Sequence, residues 1–327
     1  MRRREFITLV GGAAAAWPLA ARAQQPTMPI VGYLGLSEPE GGADIVAAIR
    51  KGLGEVGLVE GKDFTSEYRW ARYDADRLPA LAVDLVQRRV AVIIAFGAPV
   101  TARAARVATT EIPIVFAIGT DPVRAGLVAS LNRPGGNLTG ITTMNQDLGS
   151  KWVGLLHELL PAARDFAVLV NTVNGDSARR LITDTQAAGR SLGIRTEFLF
   201  ASVESEIDAA LDGLAARSQA LIIHPDILFL QNCAKLAALA TSEKLPTIYA
   251  IRDFPAAGGL MSYGSSFFDA DRQAGVYAGR ILKGEKPSDL PIQQAAKFDF
   301  VINLKTAKTI GLEIPATLLA RADEVIE

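Results

Sequence analysis

The sequence predicts an α/β fold of two lobes, each built on a parallel sheet, joined by a hinge that the chain crosses several times. Three observations lead there. Short apolar runs alternate with stretches of helical spacing, the grammar of parallel sheets covered by helices. Several runs, Val90 to Phe96 and Ile114 to Ile118 among them, are continuously apolar, as in strands covered on both faces. The 327 residues suggest about two domains, and the alternation falls into two similar halves, about 30–142 and 143–265. The remaining tail is too short for a core of its own, so it is expected to add an element to each lobe.

Residues 1–23 read as an export peptide and are set apart from the fold. Arg2, Arg3 and Arg4 precede an apolar stretch from Ile7 to Ala20, and Ala21-Arg-Ala23 fits a small-x-small cleavage site. The stretch is shorter than the roughly 20 residues that span a bilayer. Arg3-Arg-Glu-Phe-Ile7 is similar to the twin-arginine export signal; an ordinary Sec signal is the alternative. The segment holds four arginines and one glutamate, so its removal moves the net charge from −1 to −4 and leaves 304 residues.

Along the mature chain, Ile30 to Leu34 is β-rich and Asp44 to Leu53 has helical spacing. Asp63 to Trp70 alternates as a strand, Leu78 to Gln87 is a helix, and Val100 to Ala108 is another. Asp121 before Pro122 fits a helix N-cap with proline at the first helical position. In the second half, Lys151 to Leu160 is a helix stopped by Pro161, and Phe166 to Val170 is a strand. Ser177 to Leu192 is a helix ended by Gly193, Arg195 to Phe200 a strand, and Ile207 to Ala215 a helix. Ala220 to Ile223 is a strand, Leu228 to Glu243 one helix, and Thr247 to Ala250 a strand. Gly259 to Gly264, Asp269 to Lys283, Phe298 to Asn303 and Lys305 to Ile310 read as strand, helix, strand and short helix. The expected division is 24–142 plus about 266–290 for lobe 1, and 143–265 plus about 291–327 for lobe 2.

Composition narrows the function. A near-zero charge lacks the basic excess of a nucleic-acid binder. The single cysteine, Cys233, excludes an intrachain disulfide and a cysteine-based zinc site. Two histidines, His157 and His224, leave little for metal binding, and no metal or cofactor is expected. Gly52-Leu-Gly-Glu-Val-Gly57 has the letters of a dinucleotide fingerprint but closes a helix where the fingerprint must open one. No nucleophile elbow or metalloprotease motif occurs.

In open parallel sheets ligands bind beyond the carboxyl ends of the strands, often against helix N-termini. Two facing lobes would gather those loops around one cleft. The candidates are Ser37, Ala98, Thr101, Thr120 and Asp121 from the first lobe, Asn171, Asn174, Asp226, Tyr249 and Arg252 from the second, and Asn145 near the first crossover. Each has a structural alternative, such as helix caps at Ser37, Thr101 and Asp121 or turn residues at Asn171 and Asn174. The set could hold a zwitterion. Ser37, Thr101, Arg252 and helix N-termini would take a carboxylate, Asp121 or Asp226 an ammonium, and Tyr249 and Ala98 an apolar or aromatic part.

Several segments carry a family likeness. They are Ile112-Pro-Ile-Val-Phe116, Thr120-Asp-Pro-Val123 and Gly126-Leu-Val-Ala-Ser-Leu-Asn-Arg-Pro-Gly-Gly-Asn-Leu-Thr-Gly140. To these are added Gly259-Leu-Met-Ser-Tyr-Gly264, Ile281-Leu-Lys-Gly-Glu-Lys-Pro287 and Phe300-Val-Ile-Asn-Leu-Lys-Thr-Ala-Lys308. With these blocks, the mature chain resembles an ABC-transporter substrate-binding family of tryptophan/tyrosine-uptake type, a type I periplasmic binding protein with two Rossmann-like lobes. The resemblance implies a monomeric periplasmic protein that captures a small solute (an amino acid, aromatic or carboxylated compound), delivers it to a membrane permease and catalyses nothing. The alternatives are a sensor for a membrane receptor kinase, or a periplasmic enzyme built on His224 and Asp226. A sugar-responsive repressor shares the two-lobed fold but would need a DNA-binding headpiece where the export peptide stands.

Overall fold

The computed structural model describes residues 28–327, apart from 174, 296 and 297 and the side chains of 146, 176 and 177. The export-peptide reading lies outside the described residues. In chain order the first elements are β1 (Ile30–Gly35), α1 (Ala43–Glu55), β2 (Thr65–Trp70), α2 (Leu78–Gln87), β3 (Val92–Phe96), α3 (Pro99–Ala108), β4 (Ile114–Ile118) and β5 (Leu138–Thr142). Then come α4 (Gly149–Leu159), β6 (Asp165–Val170), α5 (Gly175–Ser191), β7 (Arg195–Phe200), α6 (Ser205–Leu211), β8 (Ala220–Ile223), α7 (Ile227–Gln231), α8 (Cys233–Ser242), β9 (Thr247–Tyr249), α9 (Asp253–Ala256) and β10 (Met261–Gly264). The tail supplies α10 (Phe267–Leu282), β11 (Gln293–Gln294), β12 (Asp299–Asn303), α11 (Leu304–Thr309), α12 (Ala316–Leu319) and β13 (Glu324–Ile326). No helix of the described residues is long and apolar enough to cross a membrane.

These strands form two sheets. The first has the order β11-β5-β4-β3-β1-β2, all parallel. The second has the order β13-β12-β10-β9-β8-β6-β7 and is parallel except where β12 runs against β10. The apolar runs predicted as doubly covered strands, β3 and β4, are buried at every position.

The tail serves both sheets. Helix α10 lies on the first sheet, where Ala270, Ala274, Tyr277 and Ala278 join the core of Val31, Tyr33, Ile49 and Leu53. Strand β11 pairs with β5 of the first sheet, although residues from about 291 were expected in the second lobe. The chain therefore crosses for the last time between Gln294 and Asp299.

Glycine sets the approach of α10 to α1. A Cβ on Gly52 would stand 1.9 Å from the Arg272 carbonyl, and one on Gly275 would stand 2.0 Å from the Ile49 carbonyl. The glycine run 52–57 thus has a packing job as well as a turn: Gly57, at φ 79°, leads the chain out of α1.

Other differences have local causes. The Asp121-Pro122 segment forms a turn with no helix after it: the Asp121 carboxylate accepts from the amides of Val123 and Arg124 (2.8 and 3.2 Å). The predicted helix 228–243 is two helices, broken at Asn232, whose side chain folds back onto the Leu228 carbonyl at 2.9 Å. Strand β5 was not read from sequence because Gly140 interrupts it. That glycine is required by the strand's neighbour, since a Cβ there would lie 2.3 Å from the Phe116 carbonyl.

Gly275→Ala is expected to lower stability by about 1–3 kcal/mol or more, through overpacking against backbone that cannot move aside. Gly54→Ala, on the open face of α1 with nothing within 4 Å of the new methyl, should raise stability by about 0.5–1 kcal/mol. Urea denaturation of the two variants checks both signs.

Candidate functional site

The carboxyl ends of both sheets face each other across a cleft. At its centre is a cavity of about 30 Å³, space for a water or two. Gly97, Ala117, Ile118 and Gly119 come from the ends of β3 and β4, Ile45 from α1, and Phe267, Ala270 and Asp271 from α10. The second lobe supplies Pro225, Asp226, Ile227 and Leu230. The lobes are in contact here. Ile227 is buried within the first lobe's core, and Leu230 and Tyr73 each pack against the cores of both lobes. Arg180 of α5 donates to the Thr120 hydroxyl across the gap at 3.4 Å.

Asp226 is held from several sides. Its carboxylate accepts the Leu228 amide as the N-cap of α7 and the Asn171 side-chain amide, both at 2.9 Å. The Tyr249 hydroxyl donates to the Asp226 carbonyl at 3.2 Å. Both partners follow from chain geometry, because Asn171 ends β6 and Tyr249 ends β9, the two neighbours of β8. Asn171 and Tyr249 therefore aim Asp226. Tyr249 is fully buried against Phe254 in the second lobe's core, and burial raises its phenol well above the usual range.

Ser37 and Thr101 are sealed at the ends of β1 and α3, at 1% and 0% exposure, and neither hydroxyl has a hydrogen-bond partner among the described residues. A buried hydroxyl left unpaired costs about 1–3 kcal/mol, so both are groups that gain from a ligand or a water. Ala98 and Thr120 are buried beside lining residues.

The other predicted residues stand elsewhere. Arg252 is exposed and makes a bidentate pair with Glu324 of β13 (2.7 and 2.6 Å), which takes it out of the cleft as a carboxylate donor. Asp121 is spent on its turn. Asn145 is wholly buried in the hinge: its side chain donates to the Ser265 carbonyl at 2.7 Å and accepts the Ser265 amide at 2.9 Å. Asn174 lies outside the described residues. Of the eleven predicted residues, Asp226 alone is among those that line the cavity directly.

The sequence reading passed over Asp271. It is 6% exposed, lines the cavity and has no hydrogen bond or ion pair among the described residues; burial pushes its carboxyl well above the carboxylate range. A signal was present. Asp271 lies on the same helical stripe as Ala270, Ala274, Gly275 and Ala278, so the sequence puts an acid on a buried face.

His224, the proposed base of the enzyme alternative, is fully buried, does not line the cavity, and has no partner at either ring nitrogen among the described residues. Cys233 is a buried free thiol, pushed up to about 12 by burial and then by the charge of Asp253.

Residues 36–326 match the family model of the ABC transporter substrate binding protein. The chain belongs to that family. Its role is that of the solute-binding component of an ABC importer, and such proteins work outside the cytoplasmic membrane, in the periplasm or at the cell exterior. The fold is that of the type I periplasmic binding proteins. A tyrosine-binding protein of Clostridioides difficile is 27% identical over 263 residues, covering 80% of this chain and 75% of that one. The structure of an ABC domain in complex with L-Trp from Streptococcus pneumonia superposes with a TM-score of 0.78 at 24% identity, covering 91% of this chain and 99% of that one. A conserved domain protein from Vibrio cholerae superposes equally well, with a TM-score of 0.78, 27% identity and the same coverage.

Burial holds the His224 imidazole down to about 3. The folded chain keeps it neutral, whereas the unfolded chain takes up a proton below the ordinary value near 6.5. Its contribution is therefore complete above pH 6.5 and is lost as pH falls toward 3, by about 2–3 kcal/mol at pH 4.5. Urea midpoints at pH 7 and 4.5 should fall less for His224→Gln than for the parent. In the NMR spectrum of the folded parent, the His224 ring protons should not shift between pH 8 and 5.

Proposed function

We propose that the chain is a periplasmic, monomeric binding protein. It captures a small organic solute of the amino-acid class, or a related aromatic or carboxylated compound, in the interlobe cleft and presents it to a membrane permease without chemical turnover. The observation that carries this reading is the cavity itself. Apolar side chains from both lobes surround it, it holds the carboxyl groups of Asp226 and Asp271, and the hydroxyls of Ser37 and Thr101, without a partner among the described residues, lie at the carboxyl end of the first sheet. Such a lining gives a ligand apolar contact, an acceptor for an amine and donors for an oxygen. The tyrosine and tryptophan named for the relatives support the same class.

The 30 Å³ cavity is far smaller than an amino acid, so entry requires the lobes to part. Asn145 and Ser265 tie together two of the crossing segments and would serve as the hinge for that motion. Export through residues 1–23 fits this site of action, and the near-neutral charge fits a partner other than nucleic acid.

A thermal-shift screen of the mature chain against amino acids, aromatic acids and other small carboxylates tests the reading. A ligand at 100 times its Kd should stabilise by about 2.7 kcal/mol, and Asp226→Ala should weaken its binding at least about tenfold. A screen in which no small solute raises the Tm overturns the proposal. Consumption of a bound solute over hours would support the enzyme alternative in its place.

A further inference from the structure

The cleft continues outward into an acidic mouth. This second space, of about 410 Å³, shares Ile45 and Leu230 with the inner cavity and is lined by Glu40 and Asp44 of the first lobe and Asp253 of the second. Phe268 and Gln231 complete its polar and aromatic walls. Together with Asp226 and Asp271, five acidic side chains converge on one path from solvent to the cavity. Neither lining contains a lysine, arginine or histidine among the described residues.

We propose that the cleft selects positively charged amines over zwitterions and anions, with the Asp271 carboxylate as the anchor for the ammonium group and the acidic mouth as the conduit that admits it. This rests on the reading of the cleft as the solute site and narrows the solute class, within amino acids and their aromatic and carboxylated relatives, to the amines.

Asp271 is the first support. The Asp271 carboxyl is more than nine-tenths buried with no partner among the described residues, so its ionised form is costly without a counter-charge. A cation seated against it turns that cost into a charge-assisted hydrogen bond. The opposed lobes are the second support. Burial holds Asp253 above the ordinary carboxylate range; the neighbouring Arg252 lowers it, and the negative charge of Asp44, from the other lobe, raises it again. Closure thus brings like charges together across the mouth, and a cation between them relieves the repulsion. Third, the polar groups without a partner near the two linings are neutral, and the Arg180 guanidinium that spans the gap at Thr120 stands outside both linings. The buried Gln231 amide nitrogen has no partner among the described residues, as with the Ser37 and Thr101 hydroxyls. These donors serve a hydroxyl, carbonyl or amide as readily as a carboxylate, and no cation in either lining repays a carboxylate for leaving water.

Isothermal titration of the mature chain with matched compounds tests the charge rule: tyrosine, tyramine and 3-(4-hydroxyphenyl)propionate, then tryptophan, tryptamine and indole-3-propionate. The amines are expected to bind at least about tenfold more tightly than the amino acids, and the deaminated acids not measurably. Amino acids that bind more tightly than their amines overturn the charge rule and leave the proposed function standing. Absence of heat from all six compounds overturns the charge rule, and the broader thermal-shift screen then decides the proposed function separately. Asp271→Asn is expected to weaken amine binding at least about tenfold while raising the Tm of the ligand-free chain. Unchanged amine affinity in a folded Asp271→Asn variant overturns the anchor assignment.

Discussion

Everything about the cleft depends on how two crossing segments are tied together. Asn145 both donates to and accepts from the backbone of Ser265, so one side chain does what a paired strand would do. The Ser265 hydroxyl adds a bond to the Thr143 carbonyl at 3.1 Å. Gly264 leaves room for this, because a Cβ there would lie 2.9 Å from the Asn145 side-chain oxygen and 2.1 Å from the Ala250 carbonyl. Each bond is worth only about 1 kcal/mol, but the group is wholly buried and none of its members has water as an alternative partner. With the crossings fixed, the carboxyl ends of β4 and β8 must face one another, and the loops that follow them become the two walls of a cleft.

Parallel strands announce themselves because both faces are apolar, and so β3, β4, β6 and β8 stand where the composition puts them. The short elements β5, β11 and β13 were illegible. Their residues, such as Gln293 and Gln294, gain strand geometry only from the neighbour they pair with. The site was legible as a position in the topology rather than as a set of contacts. Loop position points to Asp226, Ser37 and Thr101. It cannot reveal that Asn171 and Tyr249 serve Asp226 from behind, or that Arg252 finds Glu324 at the other end of the chain. Those partners are set by strand order, which no local pattern carries. Asp271 was missed for the opposite reason: it sits inside a helix, and attention to strand ends passes over helices.

Charges are distributed unevenly in kind. The outer surface carries paired ions such as Arg195–Asp165 and Arg280–Glu285, which are screened by water and contribute little to stability. The acids of the cleft follow another rule. Asp226 is satisfied by donors of its own chain, whereas Asp271 waits on a group that the described chain does not supply. Asp226 thus reaches the cavity with its orientation already set by the fold, while Asp271 is left for a ligand to complete.

Helix α10 belongs to the first lobe but follows ten strands on the chain, and Gly275 meets Ile49 only after most of the second lobe has been made. During synthesis one face of the first sheet is therefore covered only in part, by α1, until α10 has been made. Contacts of such long sequence separation form late and slowly. The interleaved order that joins the two walls of the cleft thus also leaves apolar surface of the young chain exposed until Leu282 has been made.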